Sequence, residues 1–285
     1  MKNTNHTKLK IEFIYFSTGF FGEAVLKNLL KENIIPKYII TSCDKPIGRH
    51  QTIESGPIKM MAIENNIPYF QPDKLRIEET LQKFKEIITE NTICVVADYG
   101  KILPQSLLDL KTVDFINIHP SILPMFRGPA PLQNTILENK KDTGVTIIQM
   151  DQQMDHGPVV AQKEFSINKD IWPCSTKELS DILAKVAADL LIETLGKYEN
   201  KQIVYIEQNH DQATYTKMIQ KPDAEIFPDK DSIEDIYKKY QAYKLWPEVF
   251  YINKDFKRVK IKKMSKDKIE RVVVEGKSES DFVGF

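Results

Sequence analysis

Short apolar runs alternate with stretches whose apolar positions recur three and four residues apart, the pattern of strands followed by helices. Ile11 to Ser17 predicts a first strand ending in Thr18-Gly19, and Phe21, Ala24, Val25, Leu29 and Leu30 mark a helix behind it. Tyr38 to Cys43 predicts a second strand. Ile93 to Ala97 is followed by a helix over Pro104 to Leu110, and Phe115 to His119 by one over Pro131 to Glu138. Val145 to Met150 and Val159 to Phe165 complete the series. Thr176 to Lys197 reads as a long helix whose stripe of Leu179, Ile182, Leu183, Val186, Leu190 and Leu191 belongs to the core. The alternation predicts an α/β fold, a Rossmann-like, mostly parallel sheet with helices on both faces.

The pattern lapses at Glu207 to Thr214, which is polar and unpatterned and reads as an interdomain linker. A first domain is therefore expected over residues 1–206, a linker over 207–216 and a β-rich domain over 217–285. The last part carries a helix from Ile233 to Tyr243, then Trp246-Pro247, then strands at Val249 to Ile252, Arg258 to Ile261 and Ile269 to Val274.

One strand departs from the apolar rule. Side chains alternate faces along a strand, so on Asp114 to His119 the residues Phe115, Asn117 and His119 share a face opposite Ile116 and Ile118. An amide and an imidazole at the end of an apolar run fill a core poorly. They are well placed to aim hydrogen-bond donors at a ligand beyond the carboxyl end of the sheet, where open α/β folds put their sites. Pro120 biases His119 toward extended backbone, and Pro124 stiffens the loop that follows.

Composition narrows the classes. The chain has 285 residues and a formal net charge of zero, so no whole-protein field advertises nucleic acid, and any such partner must be read by local patches. Cys43, Cys94 and Cys174 are scattered, form no paired motif and predict a reducing compartment, with Cys94 a small buried hydrophobe. The N-terminal MKNTNHTKLK has no apolar segment, and no stretch is long enough to span a bilayer. A cytoplasmic monomer with no membrane partner is expected.

The stretch from Phe115 to Gly157 resembles the formyltransferase family that uses 10-formyltetrahydrofolate. Asn117-Ile118-His119, Ser121-Ile122-Leu123-Pro124, Arg127-Gly128 and Asp155-His156-Gly157 follow that family's ordered signature, with Ile122 the one volume-conserving change in the loop. Thr214-Tyr215, Lys221 to Ile226, Trp246-Pro247 and the closing VEGKSESDF resemble members that formylate the α-amine of methionyl initiator tRNA. The resemblance implies a small OB-like C-terminal β-barrel that binds tRNA, shortened here between Ile261 and Ile269. It implies 10-formyltetrahydrofolate as co-substrate, held by Tyr99, Gly100 and Ile102 and by Ser121, Ile122, Leu123 and Pro124, with initiator methionyl-tRNA as partner.

The same resemblance makes Asn117, His119 and Asp155 the catalytic set. Formyl transfer passes through a tetrahedral oxyanion, which Asn117 and His119 would stabilise, while Asp155 would orient His119 and influence loss of the amine proton. One such donor is worth about 3 to 4 kcal/mol. For tRNA the resemblance points to Arg49, although His50, Gln51 and Thr52 replace the residues that usually follow. A second basic candidate is the strip containing Lys257, Arg258, Lys260, Lys262 and Lys263, which could neutralise phosphates.

Three other readings compete. Thr18-Gly19-Phe20-Phe21-Gly22 with Asp44 approaches a dinucleotide fingerprint but lacks its full glycine set. His156 beside Asp155 lacks partners at metal-ligand spacing, so no metal is expected. A nucleotide-amino-sugar N-formyltransferase would share the donor and the catalytic residues.

Overall fold

The computed structural model describes residues 11–47 and 52–284. The N-terminal segment read above and Arg49, with His50 and Gln51 beside it, lie outside the described residues.

The chain forms β1 (Glu12–Phe16), α1 (Phe20–Lys31), β2 (Tyr38–Ile40), β3 (Lys45–Ile47), β4 (Thr52–Glu54), α2 (Pro57–Glu64) and β5 (Tyr69–Phe70). These are followed by α3 (Glu78–Ile87), β6 (Thr92–Val96), α4 (Gln105–Leu108), β7 (Asp114–His119) and α5 (Pro131–Leu137). Then come β8 (Asp142–Gln149), β9 (Val159–Ser166) and α6 (Thr176–Glu199). The C-terminal part holds α7 (Ile233–Tyr243), β10 (Phe250–Ile252), β11 (Arg258–Met264), β12 (Ile269–Val274) and β13 (Glu279–Asp281).

The main sheet runs β5-β2-β1-β6-β7-β8-β9. Its pairs from β5 to β7 are parallel, while β8 is antiparallel to β7 and β9 to β8. Successive residues of the central strands go to opposite cores. Phe13, Tyr15, Ile93, Val95, Ile116 and Ile118 pack with α1, α2, α5 and α6. Ile14, Phe16, Cys94, Val96 and Phe115 pack instead on Phe84 and Ile87 of α3 and Leu107 of α4. That parity leaves Asn117 and His119 on the α3 and α4 side of β7.

The long helix α6 starts with a reciprocal cap: Ser175 accepts from the Glu178 amide, and the Glu178 carboxylate accepts from the Ser175 amide. Leu179, Leu183, Leu190 and Leu191 are buried, as the stripe predicts, with Ala184, Ala187 and Ala188 beside them. The C-terminal unit is a small antiparallel sheet in the order β10-β11-β12-β13, consistent with a small barrel-like domain. Ala224, Ile236, Tyr240, Val259 and Val272 join the core that contains Leu179 and Leu183. Polar ties reinforce the contact: Thr176 Oγ1 donates to the Ala242 carbonyl at 2.7 Å, and Lys266 Nζ to that of Trp172 at 3.1 Å.

Candidate active site

The carboxyl ends of β6 and β7 lie side by side, with Val96 opposite Asn117. Asn117 Nδ2 donates to Asp155 Oδ1 at 3.1 Å, and the Gly128 amide donates to Asp155 Oδ2 at 2.8 Å. His119 Nδ1 is 3.6 Å from the same Oδ1. The imidazole and the carboxylate are both buried, at 5% and 10% side-chain exposure, so solvent screens their interaction little. The β8–β9 loop delivers Asp155 by folding over β7, with Asp155 itself at φ 53°. Gly157 permits the fold, because a Cβ there would meet the Gln149 carbonyl oxygen at 2.0 Å. Gly128 has φ +107°, which glycine alone adopts without strain, and a Cβ there would lie 2.7 Å from the Thr216 carbonyl oxygen.

The geometry refines the roles expected of the three. His119 Nε2 lies 2.9 Å from the Phe126 carbonyl oxygen, so that nitrogen carries a proton and donates to it. Nδ1 is therefore the ring nitrogen left on the Asp155 side. Asp155 holds Asn117 by a hydrogen bond and faces His119 at longer range, so its most direct hold is on the amide. A second carboxylate on the same loop, Asp151, turns away to His156 Nδ1 at 2.7 Å. His156 in turn stacks on His210, with centroids 4.1 Å apart and planes 2° from parallel.

The residues expected to hold the folate border the same strand ends. Gly100 donates its amide to Thr18 Oγ1 at 2.8 Å, fixing the loop after β6. Ile102 is 76% exposed beside buried Leu103, so the first forms an apolar lip and the second belongs to the core. Among the described residues the Tyr99 hydroxyl is buried without a hydrogen-bond partner, and burial raises its pKa. An unpartnered buried hydroxyl beside an exposed aliphatic lip fits a flat ligand with a polar edge. The loop after β7 is more self-contained. Thr146 Oγ1 donates to the Ser121 carbonyl and accepts from the Leu123 amide, and Gln162 Nε2 donates to the Leu123 carbonyl. Ile122 and Pro124 lie on this braced segment, with the Pro124 carbonyl accepting from the Thr214 amide at 3.2 Å.

A carboxylate occupies the place where a dinucleotide phosphate would approach α1. Asp98 Oδ2 accepts from the Phe21 amide at 3.1 Å, and the Asp98 carbonyl accepts from the Thr18 and Gly19 amides. A phosphate at that helix N-terminus would collide with it, which argues against the dinucleotide reading. Burial raises the pKa of Asp98, against the opposing pull of the Phe21 and Gly22 amides.

The basic strip is largely paired within the protein. Lys260 and Lys262 both bond Glu248, and Lys263 meets Glu270 at 2.8 Å. The Arg258 guanidinium lies over the Phe250 ring, 4.3 Å from its centroid. Lys257, with its backbone held by Asn253, is on an exposed turn.

Arg127 is 1% exposed, yet its guanidinium reaches only neutral groups among the described residues: Gln208 Oε1, His210 Nδ1 and the Tyr215 hydroxyl. Phe126 donates its amide to Thr214 Oγ1 at 2.8 Å, and the Thr216 amide donates to the Arg127 carbonyl at 2.7 Å. The segment expected as a linker is thus stitched to the wall of the site. Gln208, His210 and Thr216 were missed because their polar, aperiodic setting reads as a tether. The signal available was the spacing from Thr214-Tyr215 to the signature.

Among the described residues no helix is long and apolar enough to cross a membrane, and no group of three or more His, Cys, Asp or Glu is placed to hold a metal. A family model described as formyl transferase matches residues 9–195. The chain is 36% identical over 267 residues to the methionyl-tRNA formyltransferase of Caldicellulosiruptor saccharolyticus, covering 92% of this chain and 82% of that protein. It is 33% identical over 234 residues to that of Thermotoga maritima, covering 82% and 72%. A sugar 3N-formyl transferase solved with dTDP and 5-N-formyl-THF superposes with a TM-score of 0.62 at 20% identity, covering 88% of this chain and 85% of the other, which is a likeness of fold.

Proposed function

The chain belongs to the formyl transferase family, and on that premise we propose that it moves the formyl group of 10-formyltetrahydrofolate to the α-amine of methionyl initiator tRNA. The convergence of Asn117, His119 and Asp155 at the ends of β6 and β7 carries the reaction. The acceptor is supported by the relatives that match most of the chain, each named a methionyl-tRNA formyltransferase.

The amine attacks the formyl carbon, a C–N bond forms, and the carbonyl oxygen becomes an oxyanion. Asn117 Nδ2 carries two N–H groups. One is held by Asp155, which fixes the amide plane and leaves the other for the oxyanion. His119 would act on the same oxygen through an Nδ1–H, because its Nε2–H is held by the Phe126 carbonyl. Asp155 Oδ1, which accepts from Asn117 and faces His119, would receive the proton lost by the amine. Collapse of the intermediate breaks the bond to N10 of the folate, which leaves with a proton, so protons balance over the cycle. Tyr99, Gly100 and Ile102, with Ser121 through Pro124, would hold the donor. The paired lysines of the C-terminal strip leave Lys257 and Arg258 as its freest cations for tRNA phosphates among the described residues, with Arg49 as a further contact implied by the resemblance. The protein would act as a soluble monomer in the cytoplasm.

The test offers 10-formyltetrahydrofolate with methionyl initiator tRNA and, separately, with amino-sugar nucleotides at low salt. Transfer to the charged tRNA is expected. Transfer to a sugar nucleotide alone would keep the mechanism and overturn the acceptor.

A further inference from the structure

Gln208 lies outside both catalytic loops, in a segment whose sequence reads as a tether, yet it is 6% exposed. Its Oε1 accepts from Arg127 Nε at 3.2 Å and from Arg127 Nη2 at 2.7 Å. Its Nε2 donates to the Asp155 carbonyl at 3.0 Å and to the Gly157 carbonyl at 2.7 Å. A glutamine amide can make four hydrogen bonds, two through each end, and all are used here. The guanidinium offers donors only and the two carbonyls accept only, so the amide has one orientation.

We propose that Gln208 is a positioning residue for formyl transfer, a strut that sets the distance between the Arg127 loop and the Asp155 turn and so aims the Asp155 carboxylate. The inference rests on the reaction proposed above. Asp155 sits at φ 53°, in the left-handed region that aspartate tolerates in turns. The carboxylate is fixed at one end by the Gly128 amide, from the residue after Arg127, and it holds Asn117 at the other. The turn is therefore clamped at its backbone by Gln208 and at its side chain by the loop that Gln208 also holds. Among the described residues, Gln208 is the one side chain outside the two loops that hydrogen-bonds both.

Gln208→Glu separates this role from simple stitching. It keeps an acceptor for Arg127 and gains an ion pair there, but sets a carboxylate oxygen against the Asp155 and Gly157 carbonyls. Gln208→Met keeps the volume and loses both ends. With unfolding temperatures recorded for each, we expect kcat for Gln208→Glu to fall roughly a hundredfold, as for a misplacement near 1 Å. KM for the folate donor should stay within about threefold, because the donor loops are untouched. Gln208→Met should fall at least as far. A Gln208→Glu enzyme with wild-type kcat, or one whose kcat falls only together with KM and stability, overturns the proposal. Wild type is assayed first, and if it transfers no formyl group the reaction reading fails. The ring ¹⁵N signals of His119 then decide this proposal by themselves: displaced signals in Gln208→Glu support it, and unchanged signals overturn it.

Discussion

Asp155→Asn changes one oxygen to an amide nitrogen and leaves the shape of the site intact. The carboxylate accepts from two donors that cannot accept in return, the Gly128 amide at 2.8 Å and Asn117 Nδ2 at 3.1 Å. An asparagine has one oxygen to offer them. The shorter, backbone contact should keep it, turning an NH₂ group toward the NH₂ group of Asn117. A hydrogen bond to a charged group contributes roughly 1.5 to 3 kcal/mol, and this one would be replaced by two donors face to face. Asn117 must then swing away, and its contribution to the oxyanion goes with it, a further loss of roughly a hundredfold to a thousandfold in rate. Single-turnover formyl transfer, measured beside thermal unfolding, reads both effects. The sharper test is a double-mutant cycle with Asn117→Ala. If Asp155 works mainly by holding the amide, Asp155→Asn should slow Asn117→Ala little further, so the coupling should approach the whole loss of the single substitution, roughly 3 to 4 kcal/mol. Strictly additive losses would refute the geometry assigned to Asp155.

Burial raises the pKa of Asp98 above its ordinary value of 3.8, so the folded state binds that proton more tightly than the unfolded chain. The stability this brings is complete below the unfolded pKa and is lost as pH rises through the folded one. Asp98→Asn should therefore gain on wild type in unfolding temperature from pH 4 to pH 7; a constant gap would contradict the burial argument. Ser175→Ala removes the cap of α6 and should cost about 1 kcal/mol in urea unfolding, with formyl transfer unchanged below the transition. On the proposed tRNA substrate, Lys257→Ala and Arg258→Ala should each raise KM for the acceptor and flatten its salt dependence more than Lys260→Ala, whose ammonium is already held by Glu248. Equal effects would mean that the intramolecular pair opens on binding.

What the sequence displayed, and what it hid, divides by range. Alternation on β7 put Asn117 and His119 on one face because that rule is local to the strand. The runs at Ile93 to Ala97 and Phe115 to His119 located adjacent strand ends for the same reason. Strand direction is not local, and nothing in Val145 to Met150 says that β8 runs against β7. The helix α3 was missed because its sequence, EETLQKFKEI, buries only Thr80, Phe84 and Ile87. Tyr38 to Cys43 was read too long, since its strand pairing ends at Ile40. The largest omission was the segment after Glu207. Polar residues without a period resemble a tether, yet Gln208, Thr214 and Thr216 are there to satisfy the buried Arg127 loop, a demand visible only once the chain has folded back. The partners of Asp155 were hidden likewise: the resemblance named the residue, but its hold on Asn117 and Gly128 belongs to the fold.

The central claim is that Asn117 and His119 act on the reacting carbonyl from one strand face. The most direct measurement is the single-turnover rate of formyl transfer to methionyl initiator tRNA for wild type, Asn117→Ala and His119→Ala, with folding verified and donor saturating. Each substitution should slow the chemical step by roughly a hundredfold to a thousandfold while donor affinity holds. Variants that fold, bind the donor and transfer the formyl group at the wild-type rate would contradict the account.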